Sequence, residues 1–198
     1  KVAESLGIPL KIVDKGSAYL DLVKSPKYGY GKNMNPCIDC RIYMFQQAHH
    51  VMEETGADFI VTGEVVGQRP MSQRKEAFHI IDRDSQMEEL ILRPLSAKNL
   101  APTRPEREGW VDREALLDIS GRGRGIQLSL AAEWNISGYT APAGGCLLTD
   151  PAFSEKLALF FKTRTEPTVA EAALLRYGRF FDLSPTTFVV LGRNQEEN

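Results

Sequence analysis

The fold is decided by a stretch that opens with Asn35-Pro36-Cys37-Ile38-Asp39-Cys40 and closes with Asp58-Phe59-Ile60-Val61-Thr62-Gly63-Glu64. Asparagine is a favourable helix N-cap and proline suits the first helical position, so the opening predicts a long helix that runs to about Thr55 and stops at Gly56. The apolar closing run predicts a buried strand. A strand, a helix and a strand at this spacing are typical of a crossover in a parallel sheet.

Outward from this stretch, the same patterns predict further elements on both sides. Strands are predicted at 8–14 and 89–95, helices at 18–23, 72–82, 111–119 and 126–134, and a proline-rich loop at 97–110. We therefore expect an α/β fold with a parallel sheet and flanking helices over residues 1–150. Helices at 151–163 and 169–177, with two strands near Phe180 and Phe188, predict a small α+β C-terminal extension over residues 151–198.

Composition restricts the class of protein. The chain has 198 residues, of which 42% are hydrophobic and 25% are charged, which excludes a disordered tail, a fibrous rod and a disulfide-stapled mini-protein. The sequence contains no unbroken run of about 18 apolar residues, which a membrane-spanning helix needs. We expect no membrane partner and a cytoplasmic location. The net charge of −2 does not indicate a nucleic-acid binder, so an RNA site would have to be a local patch.

The three cysteines give the sharpest chemical signal. Cys37 and Cys40 lie three apart at the predicted helix start, where both sulfurs share a face and the helix dipole favours thiolates. Cys146 lies in a Gly-Gly-Cys turn 106 residues after Cys40. Asp39 is a candidate acid or base beside the thiols, or a plain first-turn carboxylate.

Three chemistries suit this cysteine set. The three thiolates could be metal ligands that hold an iron–sulfur cluster, or they could exchange disulfides and persulfides. Structural zinc fits least well, because it needs four ligands and the nearest histidine, His49, is about 13 Å along the helix from Cys40. Buried cysteines without chemistry are the remaining alternative.

Residues 35–40 and the Gly-Ala-Asp-Phe-Ile-Val-Thr-Gly-Glu run at 56–64 resemble the tRNA thiouridylases of the PP-loop ATPase superfamily, the adenine nucleotide alpha hydrolase-like fold. The resemblance continues in Leu-Arg-Pro-Leu-Ser-Ala-Lys at 92–98 and in the Cys146 segment, and it covers roughly residues 1–151. It implies ATP-dependent sulfur transfer to a tRNA uridine, with Mg²⁺, and a sulfur donor such as a cysteine desulfurase or inorganic sulfide.

The resemblance also implies site residues. Cys40 and Cys146 match the family's functional pair, whereas Cys37 stands where several members have aspartate. A third cysteine is similar to the iron–sulfur-dependent members, which implies a [4Fe–4S] cluster with one open iron. Gly63 matches a glycine that lets the backbone approach the nucleotide, and we expect Thr62, Glu64 and Arg93 to bind ATP with it.

Four basic residues are the candidates for RNA binding. They are Arg69, Lys98, Arg122 and Arg124, and the last two lie in the loop Gly-Arg-Gly-Arg-Gly. For each of them a solvated surface position is the alternative.

One family motif is missing. The Ser-Gly-Gly-x-Asp-Ser phosphate loop does not occur in these residues, and the chain opens with Lys1. We therefore expect a piece of a longer protein whose first strands are absent here, inactive by itself. The competing hypotheses are a non-catalytic RNA- or metal-binding module that keeps the fold, and a PP-loop enzyme that acts on a small molecule. The oligomeric state is not predicted.

Overall fold

The computed structural model describes residues 2–139 and 145–197. These residues form two compact units, one from 2–13 and 38–139 and the other from 14–37 and 145–197. The second unit therefore draws residues 14–37 from the first half of the chain. The predicted division into domains at residue 150 follows the chain order and stays a prediction.

Eight α-helices and four strands occur within the described residues. The helices are α1 (Val2–Ser5), α2 (Gly16–Lys24), α3 (Cys37–Thr55), α4 (Lys75–Asp84), α5 (Arg104–Arg107), α6 (Gly125–Glu133), α7 (Pro151–Thr163) and α8 (Val169–Leu174). The strands are β1 (Ile60–Val61), β2 (Ile91–Leu92), β3 (Arg179–Ser184) and β4 (Thr187–Leu191). Three 3₁₀ turns, at Ala97–Asn99, Arg113–Ala115 and Leu147–Thr149, complete the elements.

A parallel pair of strands organises the first unit. β1 pairs with β2, with Ile60 opposite Ile91 and Val61 opposite Leu92, and α4 lies between them in the chain. This confirms the predicted α/β arrangement, although both strands are shorter than the predicted runs. Ala77, Phe78 and Ile81 of α4 are buried, as the amphipathic pattern of that helix requires.

Three local predictions in this unit are wrong. Residues 8–14 form neither strand nor helix, and Leu10 and Ile12 are 70% and 85% exposed, because no described segment pairs with their backbone. The helix predicted at 111–119 is reduced to one 3₁₀ turn, because Leu117 N–H and Ile119 N–H donate to Pro94 and Leu95 carbonyls instead. The predicted loop at 97–110 contains α5, which begins at a Thr103–Glu106 capping box.

An aromatic core holds the second unit together. Phe160 of α7 is fully buried, and its ring lies 5.9–6.5 Å from the rings of Phe161, Phe180 and Phe188. Leu20 and Val23 of α2 belong to the same core, which ties residues 14–37 to the C-terminal helices. β3 and β4 form an antiparallel hairpin, as predicted.

None of the helices in the described part of the chain is long and apolar enough to cross a membrane.

Candidate functional site

The first turns of α3 carry two of the three cysteines. The helix begins at Cys37, and Cys40 lies one turn further on. Both side chains are half-buried, and Asp39 between them is 6% exposed. The sequence placed this helix start correctly to within two residues, because the Asn-Pro signal is local.

A buried chain of charges fixes α3 to the carboxyl end of β1. Glu64 is 2% exposed, and its Oε1 lies 3.3 Å from Nε of Arg41, the residue next to Cys40. Its Oε2 accepts a hydrogen bond of 3.1 Å from Nε of Arg93. Arg93 also donates from Nη1 and Nη2 to both carboxylate oxygens of Asp82, at 2.9 and 2.6 Å. The chain of ion pairs thus places the Cys40 turn near the end of the strand.

The charge of Arg93 is maintained although the side chain is buried. Burial alone would lower the pKa of Arg93, but the hydrogen bonds and charges of Asp82 and Glu64 outweigh burial and raise it. The guanidinium also lies 3.9 Å from the centroid of the Phe78 ring. Each of its three nitrogens therefore donates one hydrogen bond to a protein carboxylate.

The other two residues predicted to bind ATP lie where β1 ends. Thr62 N–H donates to the Leu92 carbonyl at 3.0 Å, which extends the pairing of β1 and β2. Gly63 is exposed, and a Cβ placed there meets no atom within 4 Å. The fold itself therefore does not require glycine at position 63, and its role toward a nucleotide stays a prediction.

Three loops meet beyond the ends of β1 and β2, and they carry the predicted RNA-binding residues. Val66 pairs with Ser120, and Gly121 N–H donates to the Val66 carbonyl at 2.7 Å. The hydroxyl of Ser96, fully buried, accepts from Val66 N–H at 3.0 Å and donates to the Ile119 carbonyl at 2.6 Å. Ser96 therefore joins all three loops, the ones that carry Arg69, Lys98 and Arg122.

The four basic side chains differ in availability. Arg69 and Arg122 are exposed, and Arg124 is half-buried at the start of α6. Lys98 Nζ donates to the Glu114 carbonyl at 2.8 Å and lies 3.4 Å from its carboxylate, so that lysine is already engaged. Arg69 and Arg122 are thus the side chains best placed to meet a phosphate.

The third cysteine precedes a tightly held turn in the second unit. Cys146 is exposed, and its carbonyl accepts hydrogen bonds from N–H and Oγ1 of Thr149 at 2.8 and 2.6 Å. Asp150 then caps α7 by accepting from Phe153 N–H at 2.8 Å. The turn at 146–150 is therefore fixed to the start of α7.

One direct hydrogen bond and one bridging serine join this turn to the loop that immediately precedes Cys37. Asn33 Nδ2 donates to the Thr149 carbonyl at 2.8 Å. Ser154 Oγ donates to the Leu148 carbonyl at 3.0 Å and accepts from Met34 N–H at 3.5 Å. The structure therefore brings the segments that carry Cys37 and Cys146 together, from positions more than 100 residues apart. Sequence reasoning missed Asn33 and Ser154, because nothing in the local pattern marks either residue.

The described residues do not provide a ready metal centre. Within 2–139 and 145–197, no group of three or more His, Cys, Asp or Glu side chains is arranged to hold a metal ion. The iron–sulfur cluster that the resemblance implied therefore stays a prediction, and no chemical step is derived through one.

A separate cleft of about 530 Å³ opens in the first unit, between α4 and the segment from Ala97 to Glu106. Arg93 is the one predicted site residue on its wall, beside Phe78, His79 and Asp82. No local sequence pattern predicts this cleft, because its walls come from three separate segments of the chain.

Comparison with known proteins gives two matches. A family model described as "Thiamine biosynthesis protein (ThiI)" matches residues 13–99. The "tRNA-specific 2-thiouridylase MnmA" of Syntrophotalea carbinolica is 29% identical over 126 residues, which cover 55% of this chain and 36% of that protein. The chain thus spans about a third of the length of that relative. No solved structure matches.

Proposed function

We propose that this chain, which is related to the PP-loop family of tRNA thiolation enzymes, is part of an enzyme that transfers sulfur to a uridine of tRNA. The family matches support tRNA sulfur transfer in general terms, and members of the family bind ATP and Mg²⁺. The finer proposal concerns the three cysteines. It depends on one observation, the hydrogen bond from Asn33 to the Thr149 carbonyl that joins the Cys37 and Cys146 segments.

The reaction needs an activated base and a soft nucleophile. A uridine carbonyl is a poor electrophile, and ATP would adenylate its oxygen with release of pyrophosphate, so that AMP becomes the leaving group of the next step. Sulfur carried as a persulfide on Cys146 would then attack the carbon and displace AMP. The exposed position of Cys146 supports this role, because a carrier thiol must meet both a sulfur donor and a tRNA.

A second thiol has to release the sulfur. A thiolate at the start of α3 would attack Cys146 Sγ, form a disulfide with it, and leave the carried sulfur on the base as a thiocarbonyl. Cys37 and Cys40 lie one turn apart at that helix start, and both side chains are half-buried. A reductant must then restore both thiols. Asp39, buried in the same turn, would serve as acid or base for these thiols.

The remaining roles belong to the loops at the end of β1. Thr62, Gly63 and Glu64 would face ATP, with Arg93 holding Glu64 in place. Arg69, Lys98, Arg122 and Arg124 would meet the tRNA backbone. The sulfur donor would be a cysteine desulfurase, which passes persulfide-level sulfur to Cys146, or inorganic sulfide, which would form the persulfide by attacking Cys146 Sγ of the disulfide and so release the second thiol. The location would be the cytoplasm.

The experiment is thiolation of tRNA by the full-length protein with ATP, Mg²⁺ and a sulfur source. Thiouridine is measured by mass spectrometry of the digested tRNA. We expect Cys146→Ser to abolish the product and the exposed-site control Ser137→Ala to leave it unchanged. Thiolation that survives Cys146→Ser would refute the cysteine mechanism.

Two further measurements separate the alternatives. Protein purified without oxygen is analysed for iron and acid-labile sulfide, and stoichiometric amounts of both would replace the persulfide proposal with a cluster. Binding of tRNA without any ATP turnover would instead indicate a non-catalytic RNA-binding module.

A further inference from the structure

The segment that joins α2 to α3 is positively charged, in a chain whose net charge is −2. Residues 22–38 contain three lysines, Lys24, Lys27 and Lys32, and neither aspartate nor glutamate. All three lysines are exposed. In the part of the chain that the structure describes, no carboxylate pairs with Lys24 or Lys32. The charges of these two lysines are therefore available to a partner outside the chain.

Hydrogen bonds fix the backbone that carries these two lysines. Tyr30 Oη donates to the carbonyls of Val23 and Lys24, at 2.7 and 3.1 Å. Asn35 N–H donates to the Lys32 carbonyl at 3.3 Å, and the Asn35 carbonyl accepts from Gly31 N–H at 2.9 Å. A partner that binds here has to order the lysine side chains but not the backbone, which lowers the entropic cost of binding.

The same segment is attached to the turn that follows Cys146. Asn33 comes directly after Lys32, and its Nδ2 donates to the Thr149 carbonyl at 2.8 Å. The lysine segment and the Cys146 turn belong to one compact unit. Residues 145–149 have no charged side chain, and Cys146 is exposed. The lysines therefore supply positive charge to the surface that surrounds this thiol.

We infer that Lys24 and Lys32 form a second tRNA contact, which binds the phosphates beside the nucleotide presented to Cys146. The inference rests on the proposed function, in which Cys146 carries sulfur to a tRNA uridine. The phosphates on either side of that uridine are covalently attached to it, so they approach the surface around Cys146 whenever the base reaches the thiol. A lysine ammonium on its flexible four-carbon stem suits such a phosphate.

The test measures binding of labelled, unmodified tRNA to the full-length protein over a salt series, by fluorescence anisotropy and without ATP. Lys24→Gln with Lys32→Gln should weaken binding and flatten the slope of log affinity against log salt by about 1.4–1.8, because two phosphate contacts are lost. Lys24→Arg with Lys32→Arg keeps both charges and should keep the slope. The matched control, Lys162→Gln with Arg83→Gln, removes two exposed positive charges from α7 and α4 and should also keep it.

Ethylation interference locates the contact on the tRNA. Ethylnitrosourea neutralises single phosphates, and the positions at which ethylation prevents binding are mapped by cleavage of the bound and unbound tRNA. Mass spectrometry identifies the uridine that the full-length protein thiolates. We expect the parent chain to show interference at the phosphates beside that uridine, and the double glutamine variant to lose it there.

Two results would overturn the inference. One is a salt slope in the double glutamine variant equal to that of the parent chain. The other is a loss of interference only at phosphates remote from the thiolated uridine. Thiouridine is measured separately from binding, so the two failures are distinguishable. Lysine-dependent binding without any thiouridine would refute the proposed function and leave the phosphate contact standing, whereas unchanged binding with normal thiolation would refute only this inference.

Discussion

Arg93 and Glu64 depend on each other, because each is charged and at most 4% exposed. A buried charge is tolerated only when it is paired and hydrogen-bonded. Arg93 meets this condition with two carboxylates. Glu64 is hydrogen-bonded at Oε2 by Arg93, whereas its Oε1 is ion-paired with Arg41 at 3.3 Å without a hydrogen bond. The pair therefore holds β1, β2, α4 and the first turns of α3 in fixed relation.

Removing one member of this buried set should be costly. We expect Arg93→Leu to lower the free energy of unfolding by about 3–5 kcal/mol, because Glu64 and Asp82 lose the guanidinium that compensates them. The measurement is urea denaturation followed by circular dichroism. Arg83→Leu is the control, since Arg83 pairs with Asp84 on an exposed part of α4 and should matter by less than about 1 kcal/mol. Equal losses in both variants would contradict the argument.

Gly63 shows what the sequence could predict at the residue scale. The motif indicated a glycine needed for a close approach, and the strand end at Thr62 agrees with the expected position. The structure contributes the finding that a Cβ at 63 meets no protein atom. By contrast, the partners of Arg93 could not be predicted, because Glu64 and Asp82 are 29 and 11 residues away.

At the scale of elements, helices were more predictable than strands. Local signals predicted both ends of α3, namely the Asn-Pro pair just before its start and Gly56, whose φ is +66°. A strand instead depends on its neighbour, so the apolar run at 8–14 had the right composition and still forms no ladder within the described residues. The missed helix α5 had a usable signal, the capping-box residues Thr103 and Glu106.

The start of α8 gives a prediction about stability and pH. Thr168 caps the helix, and its hydroxyl and backbone N–H donate to the Glu171 carboxylate at 2.8 and 2.9 Å. These bonds hold the pKa of Glu171 below its ordinary value of 4.5. We expect Thr168→Ala to lower the free energy of unfolding by about 1 kcal/mol at pH 7.

The sign of the pH effect follows from the lowered pKa. The folded state binds fewer protons than the unfolded state, so this stabilisation is complete above pH 4.5 and is lost as pH falls through the lower folded-state pKa. Thermal melting at pH 7 and pH 3 should therefore show a smaller difference between wild type and Thr168→Ala at pH 3. Thr165→Ala, at an exposed position three residues earlier, should show no such dependence.

At the scale of the molecule, chain order and spatial units differ. Residues 14–37 pack with the C-terminal helices, because Leu20 and Val23 share a core with Leu157 and Phe160. The sequence could not predict this packing, because the apolar face of α2 does not specify which other segment covers it. The same packing brings Asn33 to the Cys146 turn, so the contact that sequence missed has the same cause as the packing of α2.

The joined loops beyond β1 and β2 lead to the last prediction, which concerns tRNA binding. A protein of net charge −2 can bind RNA only through a local patch, and Arg69 and Arg122 are exposed on loops that Ser96 connects. Each lost phosphate contact should reduce the slope of log affinity against log salt by about 0.7–0.9. We therefore expect the double change Arg69→Gln with Arg122→Gln to weaken tRNA binding and flatten that slope by about 1.4–1.8. Arg83→Gln removes an exposed charge of the same unit outside these loops and should leave the slope unchanged. Filter binding over a salt series measures the slope. If Arg83→Gln flattened the slope as much as the double change, tRNA binding would depend on the total charge of the protein and not on these two loops.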